Sequence, residues 1–219
     1  MTIMLYSGTP GSGKSLHAAR DCRDNLNRKH PRPIIANWEL SPDAPVKHPE
    51  HFHYYSNADL SVPLLTEFAQ DWWSDPSHRF RENGIILILD EAQILFNSRN
   101  WTQKTRLQWL SFFSQHRKFG YKVVFIAQSA KMIDNQFRML CETECNHRKL
   151  SNMGFIGTLL SAPFLGRLFL WVTYYFQSTE RLGSDWYMYS RKDAAMYDSY
   201  KTFEGTDEHK RFALTEGVS

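Results

Sequence analysis

Cysteine is scarce: Cys22, Cys141 and Cys145 are the three in 219 residues. That is too few for a disulfide framework, so a reducing compartment is the expected setting. Excess charge of one sign is missing too. Lys and Arg number 26 against 23 Asp and Glu, a net +3, which by itself announces no nucleic-acid partner. There is no internal repeat and no low-complexity tract, which argues against solenoids and linkers. Acidic residues are absent from Ala92 to Ile133. An unbroken apolar run of bilayer length is absent as well, because Phe155–Phe176 is interrupted by Gly157, Pro163, Gly166 and Arg167. A strand-like stretch starts almost at Met1, so no signal peptide is expected. With 42% hydrophobic and 22% charged residues, the length suits one α/β domain with a full core.

What is present begins with Gly8-Thr9-Pro10-Gly11-Ser12-Gly13-Lys14-Ser15, of the form G-x-x-x-x-G-K-S, after a short apolar run and before a helix-like stretch. The glycines permit positive-φ turns that aim successive backbone N–H groups inward. Those donors and the following helix N-terminus form a cradle for phosphate oxygens. Lys14 supplies a mobile cation for the β- and γ-phosphates, and the Ser15 hydroxyl can ligate Mg²⁺. The spacing predicts a nucleoside triphosphate site, with ATP and Mg²⁺ as its ligands.

The remaining elements fall around this loop. Strands are expected at Thr2–Ser7, Ile34–Trp38 and Phe52–Ser56, with helices over Lys14–Lys29 and Leu64–Trp73. Asn83-Gly84 turns into Ile85-Ile86-Leu87-Ile88-Leu89, a run suited to a parallel strand covered on both faces. It ends in Asp90-Glu91. A carboxylate there, downstream of a phosphate loop, is placed to hold the metal through water, and Glu91 to orient or deprotonate an attacking water. A helix over Thr102–Phe119 is stopped by Gly120, and the strand Lys122–Ala127 ends in Gln128. Gln128 reads either as a sensor of the γ-phosphate or as a strand-capping amide.

The acid-free stretch carries Arg99, Lys104, Arg106, Arg117, Lys118, Lys122 and Lys131, interleaved with Trp101 and Trp109. Three readings stay open: a path for a nucleic-acid backbone, a cation offered to a neighbouring subunit's nucleotide, or a solvated face. Period-two spacing puts Cys141, Cys145 and His147 on one face of a strand, where three ligands fall short of a closed metal site. Phe155–Phe176 reads as a membrane span, a membrane- or subunit-facing loop, or core, with an aromatic strand from Leu168 to Gln177. Arg181–Ser184 is expected to turn into a partner strand, Asp185–Ser190.

Together these residues resemble the zonular occludens toxin-like (Zot) ATPases of filamentous phages, the assembly/export protein I group. The resemblance is carried by the Gly8–Ser15 loop, Asn37, Leu89-Asp90-Glu91-Ala92-Gln93 and His116-Arg117-Lys118-Phe119-Gly120-Tyr121. Phe125-Ile126-Ala127-Gln128, Arg138 and Ala195-Met196-Tyr197-Asp198-Ser199-Tyr200 extend it. It covers about residues 1–203, leaving 204–219 as a polar tail. It implies a RecA/FtsK-like P-loop NTPase fold, α/β, with a mostly parallel sheet flanked by helices and late antiparallel strands. It further implies a homo-oligomeric ring on the cytoplasmic face of the host inner membrane, acting in virion assembly with coat and assembly proteins and with phage DNA as a further partner. Arg117 is the candidate to act on the neighbouring subunit's nucleotide, with Arg138 as its rival. The family usually continues into a transmembrane helix and an outer domain. With the chain ending at Ser219, such a continuation or the Phe155–Phe176 segment is the expected membrane attachment.

Overall fold

The computed structural model describes residues 3–96, 103–154, 157, 159, 162–164 and 167–197. In chain order the elements are β1 (Ile3–Ser7), α1 (Lys14–Leu26), β2 (Ile34–Ala36), β3 (Phe52–Tyr54), α2 (Val62–Ser74), β4 (Ile85–Leu89) and α3 (Ala92–Leu95). There follow α4 (Gln103–Gln115), β5 (Tyr121–Ile126), α5 (Asn135–Arg138), β6 (Thr143–Lys149), β7 (Leu168–Tyr175), β8 (Arg181–Met188) and α6 (Arg191–Ala194). The strands make one sheet in the order β3-β2-β4-β5-β1-β6-β7-β8. The first six are parallel, and β7 and β8 extend the sheet antiparallel.

The apolar run of β4 is explained by burial on both faces. Ile85, Leu87 and Leu89 pack with Leu65 and Ala69 of α2 and with Trp109, Phe112 and Phe113 of α4. Ile86 and Ile88 point the other way, into a cluster with Ala18, Ala19, Cys22 and Leu26 of α1. The helix ends follow local chemistry. The Ser61 hydroxyl accepts from the Leu64 N–H to cap α2. Past α4 the chain tightens into a 3-10 turn at His116–Phe119 and leaves it through Gly120 at φ 78°.

Several expectations change register. The second strand stops at Ala36, and the half-buried Trp38 beyond it sets its ring against Phe52 and Tyr197. The late hairpin turns earlier than expected. Arg181–Ser184 lies within β8, and the reversal falls between Tyr175 and Glu180, where Thr179 adopts φ 55°. Gly183 therefore sits in a strand, with open space where its side chain would be. Trp109 is buried core against Phe96 and Phe113, so it presents no free face to a base. Arg99, Trp101, part of Phe155–Phe176 and the 204–219 tail lie outside the described residues. Among the described residues no helix is long and apolar enough to cross a membrane.

Candidate nucleotide site

β5 lies between β4 and β1. Because these strands are parallel, Asp90, Gln128 and the Gly8 loop emerge side by side at one end of the sheet, where α/β sheets place their ligands. The loop connects Ser7 of β1 to Lys14, the first residue of α1. Two of its glycines are required by their neighbours. At Gly8, φ 144°, a Cβ would collide with the His147 carbonyl oxygen of β6. At Gly13, φ 94°, a Cβ would meet the Phe169 ring at 2.7 Å and the Tyr187 hydroxyl at 3.0 Å. The Gly8 N–H donates to the Gln128 carbonyl at 3.3 Å, tying the loop to the end of β5.

Lys14 is buried, and its ammonium donates to the Gly8 and Thr9 carbonyls at 2.7 and 3.1 Å. Burial lowers its pKa, against the opposing charges of Glu91 and Asp90. The Ser15 hydroxyl donates to Asp90 Oδ2 at 2.9 Å. Burial raises the Asp90 carboxyl, while the Glu91 N–H (2.8 Å to Oδ1) and Ser15 favour its charged form. The Ser12 hydroxyl is buried with no hydrogen-bond partner. A buried donor left without a partner, a cation bonded only to loop carbonyls and a hydroxyl–carboxylate pair form a donor set that fits a polyphosphate with its divalent ion.

Glu91 follows β4 in the left-handed region, φ 48° and ψ 45°. The Gln93 side-chain amide donates to Glu91 Oε2 in a short contact. Asn37 clamps the backbone just before it. Its Nδ2 donates to the Asp90 carbonyl at 2.8 Å, and its Oδ1 accepts the Asp90 N–H at 2.7 Å. Tyr197 approaches the site from the far end of the described chain, packing on Trp38, and burial near Asp90 raises its phenol pKa. Asn37, Gln93 and Tyr197 stand in the sequence only as members of a family pattern. Their roles depend on contacts between segments far apart in the chain, and no local signal announces them.

Gln128 stands at the carboxyl end of β5 with an exposed side chain. Arg117 does not join this group. It precedes β5, at the opposite end of the sheet, and its guanidinium donates to Glu142 Oε1 at 2.9 Å. Its own stretch holds no carboxylate, but Glu142, just ahead of β6, supplies one from farther along the chain. Arg138, on α5 ahead of β6, donates to Asn135 Oδ1 at 2.7 Å. The acid-free stretch is likewise not one basic face. One guanidinium nitrogen of Arg106, Nη2, donates to both carboxylate oxygens of Asp134 at 2.9 and 2.8 Å, and burial lowers the Lys122 pKa against the opposing charge of Asp21. Cys141 and Cys145 do not share a face. Cys141 lies ahead of β6 in the cluster with α4, whereas Cys145 is in the cluster with α1.

This strand order, with a phosphate loop on β1 and adjacent carboxylates after β4, defines a P-loop NTPase fold. The chain belongs to the family described as Zonular occludens toxin (Zot), which residues 2–163 match. It is 35% identical over 218 residues to the Gene 1 protein of Enterobacteria phage I2-2, covering 95% of this chain and 59% of that protein. The chain spans about three fifths of the length of the curated phage relatives it matches. Its fold is similar to the N-terminal domain of zonular occludens toxin from Neisseria meningitidis, with TM-score 0.54 and 18% identity, over 90% of this chain and 98% of that one. It is also similar to the genome packaging NTPase B204 of Sulfolobus turreted icosahedral virus 2 in complex with ATP-gammaS. There the TM-score is 0.50 at 14% identity, over 85% of this chain and 96% of that one. At these identities both likenesses speak to the fold.

Proposed function

We propose that this chain is the ATP-hydrolysing part of a motor that drives filamentous phage assembly and export from the cytoplasmic face of the host inner membrane. The observation that carries the reading is the 2.9 Å contact between Ser15 and Asp90, which joins the start of α1 to the end of β4 with Glu91 next in line. Backbone N–H groups from Gly8 to Gly13, with Thr9, Pro10, Gly11 and Ser12 shaping the loop, bind the phosphates, and Lys14 swings from its loop carbonyls to their charge. Ser15 and Asp90 would hold Mg²⁺, which when bound neutralises charge on the phosphate oxygens. Glu91 takes the proton of the attacking water, with its carboxylate aimed by Gln93. Gln128, beside the loop, senses the γ-phosphate. Membership of the Zot family and likeness to phage Gene 1 proteins support the assembly setting, with coat and assembly proteins as partners and phage DNA as a further one.

In this reading the protein works as a homo-oligomeric ring, and Arg117 of one subunit serves the nucleotide of the next after parting from Glu142. Co-assembly of Arg117→Ala with Lys14→Ala subunits restores part of the activity if so, since mixed interfaces pair one intact loop with one intact arginine. No recovery removes Arg117 from that role. The motor itself is tested by steady-state ATP turnover alone, with DNA and with lipid vesicles, across protein concentrations that span assembly. Turnover that rises with concentration and with vesicles is expected. Turnover that responds to DNA alone replaces export with DNA translocation, and nucleotide binding without turnover makes the protein an assembly clamp.

A further inference from the structure

Behind the phosphate loop, on the α1 face of the sheet, lie three side chains with metal-binding atoms: His17 of α1 and Cys145 and His147 of β6. All three are buried, and one ligand atom from each lies within 4.8 Å of the others. His17 Nδ1 is 2.8 Å from His147 Nε2, which is 3.9 Å from the Cys145 sulfur. Bond lengths of about 2.0–2.3 Å to nitrogen and sulfur place the ligands of a tetrahedral or trigonal ion about 3–4 Å apart, so the two imidazole nitrogens must open by about half an ångström and the widest pair must close by up to about 1 Å.

The surroundings orient both rings as ligands. His147 Nδ1 faces two backbone carbonyls, Cys145 O at 2.9 Å and Ser7 O at 3.2 Å. Its proton therefore belongs on Nδ1, and Nε2 presents a lone pair toward His17 and Cys145. On the other ring, His17 Nε2 lies 3.8 Å from Asp21 Oδ1, and Asp21 is itself held by the Tyr6 hydroxyl at 3.0 Å. Carbonyls behind His147 are outer partners of the kind metal-ligating imidazoles use, and the Asp21 carboxylate stands within reach of His17 for the same role. Burial holds both rings neutral, His17 down to about 4 and His147 to about 3, the form that binds a metal. The same burial pushes the Cys145 thiol up to about 12, so the thiolate forms only as an ion displaces its proton. A cavity of about 200 Å³ lined by Tyr6, Asp21, Cys22 and Lys122 lies on the Asp21 side.

We propose that His17 Nδ1, Cys145 Sγ and His147 Nε2 bind one thiolate-seeking closed-shell ion, Cu⁺ with these three ligands alone or Zn²⁺ with a water as the fourth. On binding, the thiol proton leaves to solvent, and the His17 proton moves from Nδ1 to Nε2, where Asp21 Oδ1, 3.8 Å away, must draw closer to accept its hydrogen bond. The ion ties β6 to α1 directly behind the phosphate loop. The His147 carbonyl is among the atoms that exclude a Cβ at Gly8, and the His17 N–H donates to the Gly13 carbonyl at 2.9 Å.

The test uses the full chain, stripped with chelator and free of nucleotide and Mg²⁺, then equilibrated in separate arms with Zn²⁺, Cu⁺ and the spectroscopic probe Co²⁺. One equivalent of Zn²⁺ or Cu⁺ retained through desalting, a raised unfolding temperature and a thiolate-to-Co²⁺ charge-transfer band are expected. The band and the retained ion vanish in Cys145→Ser and persist in Cys141→Ser and Cys22→Ser. His17→Gln, measured alongside with circular dichroism to verify folding, loses at least tenfold in affinity. Retention in the Cu⁺ arm alone identifies the ion as Cu⁺. A parent that keeps no ion at micromolar free metal, or folded Cys145→Ser and His17→Gln proteins that bind as the parent does, overturns the proposal.

Discussion

Glu91 keeps a left-handed backbone that a residue with a Cβ adopts at a cost of about 1–2 kcal/mol. The conformation ends β4 at once and turns the carboxylate toward Gln93 instead of continuing the strand. If this carboxylate is the base, Glu91→Gln binds ATP as tightly as the parent and hydrolyses it about 10²–10⁴-fold more slowly. Equilibrium binding measured beside single-turnover hydrolysis checks this, and a parallel loss of both would make Glu91 a positioning group. Gln93→Ala frees the carboxylate without removing it, so turnover should fall by a smaller factor at unchanged affinity. Lys14 is the other decisive residue. Lys14→Ala removes the cation that, among the described residues, bonds to the loop's own carbonyls, and nucleotide binding should nearly disappear in a fluorescent-nucleotide titration. Undiminished turnover in that variant would sink the phosphate-cradle assignment.

At the scale of elements, the site is the meeting of strand ends. β2 contributes no catalytic group, yet Asn37 just beyond it satisfies both the N–H and the carbonyl of Asp90 and so sets the height at which β4 ends. Asn37→Ala leaves those backbone groups without partners in a buried setting, a loss of about 1–3 kcal/mol. Urea unfolding should show it as a lower midpoint with an unchanged slope. A midpoint equal to the parent's would mean that water replaces the amide. The β7–β8 hairpin acts on the same loop from the other side. Phe169 and Tyr187 wall Gly13, and the Tyr187 hydroxyl donates to its carbonyl at 3.0 Å. The late antiparallel pair is thus part of the nucleotide site's support.

For the whole molecule, the open question from the sequence was Phe155–Phe176. Leu168–Tyr175 is β7, hydrogen-bonded to β6 on one side and β8 on the other. The stretch ahead of Leu168 is shorter than the ~20 residues a helix needs to cross a bilayer. This chain should therefore appear in the supernatant after carbonate extraction of expressing cells. Recovery wholly in the membrane pellet would show that the segment crosses the bilayer after all.

Local chemistry alone determined much of this protein. The loop Gly8–Ser15 and the apolar run into Asp90-Glu91 were legible because a phosphate cradle needs glycine, lysine and serine at fixed spacing. A strand buried on both faces needs unbroken aliphatics, as at Ile85–Leu89. Strand order, the Asn37 clamp, the Gln93 tether and the approach of Tyr197 were decided only in three dimensions, because each joins residues that no short-range pattern connects. Charge misled for the same reason. Arg117 and Arg106 stand in an acid-free stretch, but Glu142 and Asp134, just beyond that stretch, are folded onto them. Cys145 found its neighbour in the same way: His17, not Cys141, since sheet pairing and the packing of α1 decide which side chains share a face.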